Sequence, residues 1–249
     1  MNLVLDIGNT RSKLALFQGD TLVSAGMFDL SEPASVARFL GDRKADHMLI
    51  STVKKHLPAF LEDLGKQIPL TAFTADTPVP LKNAYTSANT LGSDRLAGII
   101  GAWKRYPGEA VLLVDSGTCI KYNYLTPQGE YLGGGISPGI DMRFKAMHAY
   151  TGRLPELAAD YNFDTLIGSN TTESLLSGVM NGVVEEVGGI IKRFETQYPG
   201  LKIVLTGGNY HFFEKRLKKP IFAHPNIILE GLNEILEYNV KSCANSTST

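Results

Sequence analysis

The chain has 249 residues, 24 basic and 25 acidic side chains, a formal net charge of -1 and 43% hydrophobic residues. That length suits two lobes sharing a core region or one large domain, and the balanced charge gives no electrostatic case for nucleic acid or an anionic membrane as partner. Two cysteines, Cys119 and Cys243, make neither a disulfide framework nor a zinc site; with no bilayer-length apolar stretch and no signal-peptide pattern read, a soluble cytoplasmic protein is expected.

Leu3-Val4-Leu5 reads as a buried strand and runs into Asp6-Ile7-Gly8-Asn9-Thr10. A strand over Lys13 to Phe17, the turn Gln18-Gly19-Asp20 and a strand over Thr21 to Phe28 follow. Ser31-Glu32-Pro33 opens a short helix over Ala34 to Leu40. His47 to Thr52 reads as a strand, Leu57 to Gln67 as a helix, and Leu70 to Phe73 as another strand. Alternation of this kind predicts α/β lobes with partly parallel sheets. Ser93 is expected to cap a helix from about Asp94 to Arg105, with Leu96, Ile99, Ile100 and Trp103 as its apolar stripe. Pro107-Gly108 closes the first lobe, dividing the chain into residues 1–109 and 110–249.

The second lobe repeats the opening of the first. Val111 to Val114 is an apolar strand ending in Asp115-Ser116-Gly117-Thr118-Cys119. It is followed by a strand over Lys121 to Leu125, the turn Thr126-Pro127-Gln128-Gly129 and a strand over Glu130 to Ile136. The glycine-dense stretch Gly133 to Gly139 leads into a helix over Ile140 to His148 and could line a ligand cleft or allow close packing. A long helix spans Thr172 to Gln197, with Leu176, Met180, Val183, Val187, Ile190 and Phe194 at helical spacing. Glycine inside a helix costs about 1 kcal/mol. Gly178, Gly182 and Gly188-Gly189 therefore mark close packing, either on a second subunit or on the neighbouring core. Ile203 to Leu205 is a buried strand ending in Thr206-Gly207-Gly208-Asn209, where the glycines suit either a flat base or ribose or an ordinary strand-to-helix turn. The tail from Ser242 to Thr249 is expected to fray.

A tight glycine turn after a strand points backbone N–H groups at an anion and lets the backbone approach it closely. Asn9, Thr10 and Thr118 add side-chain donors. Asp6 and Asp115 repel phosphate but suit the cation that travels with it. No G-x-G-x-x-G opens a helix and no Walker lysine motif is present, which excludes those nucleotide-binding folds. In Gly92-Ser93-Asp94-Arg95 the acid either serves helix capping or orients and deprotonates a hydroxyl nucleophile. Arg95 has the fork geometry for a carboxylate. These parts supply the positioning and charge neutralisation of a phosphoryl transfer. His148 and His211 show no partner pattern and are left as structural or surface residues.

Taken in order, these motifs resemble the type III pantothenate kinases of the acetate and sugar kinase, Hsc70 and actin superfamily. The matching residues are Asp6 to Thr10, Leu91 to Arg95, Asp115 to Thr118, Gly133 to Gly139, Leu154-Pro155, Ile167 to Thr171 with Ser177-Gly178, and Thr206-Gly207-Gly208. The resemblance implies two ribonuclease-H-like lobes of the actin-like ATPase type with ATP in the cleft. It implies ATP-dependent phosphorylation of the terminal hydroxyl of pantothenate, the first step toward coenzyme A. ATP would be held by Asp6, Ile7, Gly8, Asn9, Thr10, Arg11, Ser12, Lys13 and Thr118, with Mg2+ at Asp6. Asp94 would be the catalytic base; Tyr85, Gly92, Ser93 and Arg95 would contact pantothenate. Asp115 would bind a monovalent cation, K+ or NH4+, and Thr171 would reach the substrate across a homodimer interface. Cys119 stands where alanine is usual, Ala88 where proline is common and Ser169 where lysine is frequent. Two other readings accompany this one: another small-molecule kinase of the same superfamily, and a non-catalytic regulator of the Bvg accessory factor type.

Overall fold

The computed structural model describes residues 1–8, 11–52, 54 and 56–246, the side chains of 244–246 excepted. In chain order the elements are β1 (Asn2–Ile7), β2 (Ser12–Gln18), β3 (Thr21–Phe28), α1 (Ala34–Leu40), β4 (His47–Thr52), α2 (Ala59–Gln67), β5 (Leu70–Ala72), β6 (Lys82–Asn83) and α3 (Ser93–Arg105). They continue as β7 (Val111–Ser116), β8 (Cys119–Leu125), β9 (Glu130–Pro138), α4 (Ile140–Ala149), α5 (Thr171–Gln197), β10 (Lys202–Thr206), α6 (Tyr210–Leu217), β11 (Phe222–Ala223) and α7 (Ile227–Ser246). The chain forms two compact units: Met1–Gly108 with Gln128–Leu132 and Asn226–Thr249, and Glu109–Pro127 with Gly133–Pro225.

In the first unit the sheet order is β3-β2-β1-β4-β5. β1, β2 and β3 pair antiparallel, while β4 lies parallel to β1 and β5 parallel to β4. The central strands are apolar on both faces because helices cover both. Leu3, Leu5, Leu14, Leu16, Met48 and Ile50 pack with Val36 of α1 and Leu61 of α2. α7 packs on β1 and most extensively on α3. There a Cβ on Gly101 would meet the Ile227 carbonyl oxygen at 2.1 Å, and one on Gly231 the Ala97 carbonyl oxygen at 1.8 Å. β3 is one edge, and its exposure alternates as a one-sided strand requires.

The second unit repeats that order as β9-β8-β7-β10-β11, so β7 and β8 take the places of β1 and β2, and β10 that of β4. Its core joins Leu112, Val114, Ile120 and Tyr122 of the sheet to Phe144, Met180, Val183, Val187 and Phe213 of the helices. The duplication expected from the two aspartate-glycine loops is thus a duplication of sheet topology.

Four expectations need correction. The sequence reading put 110–249 in one lobe, whereas α7 and the segment Gln128–Leu132 join the first unit, because α7 supplies the apolar cover that α3 and β1 lack. The tail is helical as far as Ser246; residues 247–249 lie outside the described residues. A helix of bilayer length and apolarity does exist: α5, 27 residues long, passes on length and composition. Its Val179, Met180, Val183, Val187 and Ile191 are nevertheless core residues of the second unit. Finally, Ser93 is the first helical residue of α3 and not its cap; Gly92 holds the cap position without a side-chain bond. The Ser93 hydroxyl instead pairs with Ser51 Oγ on β4 at 2.8 Å.

Candidate active site

Each hairpin sets its loop with one internal bond. Gly8 N–H donates to the Arg11 carbonyl at 3.1 Å, and Gly117 N–H to the Cys119 carbonyl at 3.0 Å. These two glycine N–H groups therefore close the turns and are not aimed at a ligand. Asn9 and Thr10 lie outside the described residues. Arg11 is exposed, Ser12 buried and Lys13 half-buried, and Asp6 is half-buried at the end of β1. A groove lined by Gly8, Arg11, Ser12, Asp29, Arg38 and Lys54 opens beside this loop.

The second loop is braced by glycines far away in sequence. Gly139 N–H donates to the Thr118 carbonyl at 3.1 Å, and Asn209 N–H to the Ser116 carbonyl at 3.1 Å. A Cβ on Gly139 would meet the Gly117 and Thr118 carbonyl oxygens at 2.3 and 2.5 Å. One on Gly207, whose φ is +91°, would meet the Ser116 carbonyl oxygen at 2.3 Å and Asp115 Oδ1 at 2.5 Å. The close approach at Gly207 is thus to the loop's own backbone. Ser137 and Arg143 extend the brace: Ser137 Oγ donates to Glu186 Oε1 at 2.6 Å and Arg143 Nη2 to Glu186 Oε2 at 2.6 Å. Tyr122 OH adds a bond of 3.1 Å to Glu186 Oε1. Burial raises the Glu186 carboxyl pKa, but the bonds from Ser137, Arg143 and Tyr122 outweigh it and leave the group below its ordinary value. Thr118 itself is exposed at the loop tip.

Registers match between the two hairpins. Asp6 faces Lys13 across β1–β2 and lies beside Ser51 on β4. Asp115 faces Lys121 across β7–β8 and lies beside Thr206 on β10. In the second hairpin Lys121 Nζ bonds Asp115 Oδ2 at 2.8 Å, with the two side chains 19% and 10% exposed. The resemblance placed a monovalent cation on Asp115, and the carboxylate already holds an ammonium group. Among the described residues no group of three or more His, Cys, Asp or Glu is placed to hold a metal ion. A divalent ion here would draw most of its ligands from substrate phosphates and water.

The Gly92-to-Arg95 motif forms the first turn of α3. Arg95 N–H donates to Asp94 Oδ1 at 2.8 Å, holding the carboxylate against the positive end of the helix. A Cβ on Gly92 would sit 2.7 Å from that same Oδ1, so glycine makes room for the acid. Arg95 is 5% exposed, and its guanidinium lies 5.3 Å from the centre of the Tyr85 ring. Tyr85 in turn stacks on Tyr131, with ring centres 6.2 Å apart. Burial pushes the Tyr131 phenol up to about 12, with the Arg95 charge acting in the opposite direction. Sequence reading named Tyr85 and Arg95 but missed Tyr131 and Ser51. Tyr131 arrives through the parallel pairing of β6 with β9, Asn83 opposite Tyr131, which no local pattern announces.

Thr171 is the exposed first residue of α5. Asn170 caps this helix by accepting from Glu173 N–H at 3.0 Å, and Ser169 bonds back to the Glu173 carboxylate. Gly178, Gly182 and Gly189 lie on an exposed face of α5 with open space where a Cβ would stand. Leu166 and Ile167, just before it, are 78% and 81% exposed.

Comparison with known proteins bears on the fold and the family. Among solved structures, a Baf family transcriptional activator from Campylobacter jejuni aligns with a TM-score of 0.60 at 21% identity, covering 96% of this chain and 99% of that one. The activator of the 2-hydroxyisocaproyl-CoA dehydratase from Clostridium difficile, with bound ADPNP, aligns at 0.58 and 12% identity, covering 99% and 97%. A glucokinase from an Antarctic psychrotroph aligns at 0.52 and 14%, covering 95% and 98%. At these identities the likeness is one of fold, the two-lobed actin-like ATPase type. The type III pantothenate kinase of Christiangramia forsetii is 41% identical over 245 residues, covering 96% of this chain and 99% of its own. That of Bacteroides fragilis is 38% identical over 244 residues, covering 96% and 98%. The sequence model of the family matches residues 2–193, a span that holds both aspartate-glycine loops, Asp94 and Arg95; the chain belongs to the type III pantothenate kinase family.

Proposed function

We propose that this protein is a kinase that transfers the γ-phosphoryl group of ATP to the terminal hydroxyl of pantothenate, the first step of coenzyme A synthesis. The observation that carries the reading is the Asp94–Arg95–Tyr85–Tyr131 group. A carboxylate held by a helix N-terminus stands beside a guanidinium lodged against an aromatic pair. That pairing suits a substrate with a hydroxyl at one end and a carboxylate at the other. Asp94 orients the hydroxyl and accepts its proton as the oxygen attacks the γ-phosphorus. The bond from the bridging oxygen to the γ-phosphorus breaks, and ADP leaves. Arg95 binds the pantothenate carboxylate through paired N–H donors, and Tyr85, Gly92 and Ser93 border the same substrate.

The stretch Asp6 to Lys13 and the exposed Thr118 bind the ATP phosphates. Mg2+ would enter with ATP and offset charge on its phosphates, and Asp6 is the side chain that would help hold it. Asp115 is a poor site for a free monovalent cation, because Lys121 already pairs with its carboxylate. The working unit is a homodimer in which Thr171 of one copy reaches the substrate of the other. Support for that pairing comes from exposed Leu166 and Ile167 and the open glycine face of α5.

The test is ADP release from Mg-ATP with pantothenate, run beside a panel of sugars and small acids. Turnover with pantothenate alone is expected. Turnover with a sugar or acid instead removes the substrate assignment; ATP binding without any turnover makes the protein a non-catalytic relative. Sedimentation of the same sample reports the dimer, and a monomer with full activity refutes the role of Thr171.

A further inference from the structure

We infer that the Lys121 ammonium group is the cation of the second phosphate loop, and that this enzyme needs no added K+ or NH4+. The inference rests on reading Asp115 to Thr118 as a phosphate-binding loop. Lys121 is directly opposite Asp115 in the β7–β8 register, so the two side chains share one face of the hairpin whatever else is bound. Nζ stands 2.8 Å from Oδ2, and both side chains are largely buried. A pair this shielded from solvent is screened little by salt. A second monovalent ion entering beside Asp115 would have to displace the ammonium or lie against it, and like charges at that separation repel.

The remaining surroundings also favour a tethered cation. Asp115 Oδ1 is directed at the Gly207 backbone, 2.5 Å from where a Cβ would stand. Ser116 Oγ and Thr206 Oγ1 are buried without a hydrogen-bond partner among the described residues. A lysine ammonium offers three donors, and one of them goes to the Asp115 carboxylate. K+ and NH4+ carry the same charge at similar size, and a lysine head group is an ammonium on a four-carbon tether. Its effective concentration at Asp115 is fixed by the hairpin and does not depend on the medium. In the first hairpin Lys13 stands opposite Asp6 at the same register position.

The experiment compares salts at constant ionic strength. Binding of a non-hydrolysable ATP analogue with Mg2+ is measured by calorimetry in choline chloride, KCl and NH4Cl, and pantothenate turnover is measured in the same buffers. For the wild-type protein both readouts are expected to agree within twofold across the three salts. A tenfold or greater gain in KCl or NH4Cl overturns the inference. Lys121→Met keeps the stem and removes the charge; it should weaken analogue binding at least tenfold in choline and recover most of it in KCl or NH4Cl. A folded Lys121→Met protein that binds as the wild type does in choline, or that neither cation rescues, also overturns it. Lys121→Gln is read the same way if the methionine variant does not fold, and the wild-type titration decides without either. Because analogue binding needs no pantothenate, an error in the substrate assignment leaves this readout intact.

Discussion

Gly139→Ala tests the claim that the second loop is held at the ATP phosphates by a distant backbone. Gly139 has φ -69° and ψ 170°, which any residue adopts, so the substitution carries no conformational penalty of its own. What it carries is a methyl group 2.3 Å from the Gly117 carbonyl oxygen and 2.5 Å from that of Thr118. Cβ atoms essentially never come closer than 3.0 Å to such atoms, so the loop must retreat by about 0.7 Å or the start of α4 must tilt away. A displacement near 1 Å at a reacting group costs on the order of 10²-fold in rate. The overpacking itself costs about 1–3 kcal/mol, a fall of several degrees in Tm. The assay is ADP release against ATP concentration, with a thermal melt of the same sample. kcat/KM for ATP should fall about 10²-fold while KM for pantothenate moves little. Gly152→Ala, with open space at its Cβ, is the control and should change neither. A Gly139→Ala protein within twofold of wild type would show that Thr118 does not grip the nucleotide, or that its loop yields without consequence.

Three further outcomes are expected. Asp94→Asn should lose turnover by 10²-fold or more with ATP-analogue binding preserved, and near-normal turnover removes Asp94 as the base. Arg95→Lys keeps the charge but loses the fork and the planar face on Tyr85, so KM for pantothenate should rise about tenfold or more with a smaller change in kcat; an unchanged KM detaches Arg95 from the carboxylate. The folded-state pKa of Glu186 is depressed below its unfolded value of 4.5, so its contribution to stability is present above pH 4.5 and is lost as pH falls through the folded value. Glu186→Gln should therefore lower Tm at pH 7 but narrow the gap to wild type at pH 4 and below; a gap independent of pH refutes the ionic role.

How far the sequence carried the fold depended on whether the signal was local. The apolar runs Leu3-Val4-Leu5 and Val111 to Val114, each closed by an aspartate-glycine turn, announced both hairpins because strand, turn and return strand are contiguous. α1 and α5 were legible for the same reason, α1 to the residue and α5 to within one residue at its start. Asp94 and Arg95 stood out because acid and base are adjacent in one motif. What stayed hidden was set by register between distant segments. Ser51 meets Ser93 because β4 runs beside β1, and Tyr131 meets Tyr85 through a pairing only two residues long. Lys121 sits six positions after Asp115, an interval that carries no meaning until the hairpin register is known. The role of Gly139 and Gly207 as braces was invisible likewise, since each touches a backbone atom contributed by another strand. Glycine density flagged the places without saying what came close.

The return of α7 to the first unit has a consequence for how the protein is made. Asn2, the second residue of the chain, donates to Asn233 Oδ1 at 3.0 Å and to Glu237 Oε1 at 2.7 Å. Those partners leave the ribosome 231 and 235 residues later. Residues 1–108 therefore emerge with the α3 groove around Gly101 bare, and it stays bare until Ile227 and Gly231 arrive to fill it. The unit begun by β1 is completed by α7, while 109–225, apart from the insertion at 128–132, can close ahead of it. Synthesis and completion then run in opposite orders, and a chain truncated before α7 carries a second unit with its core whole and a first unit without its cover.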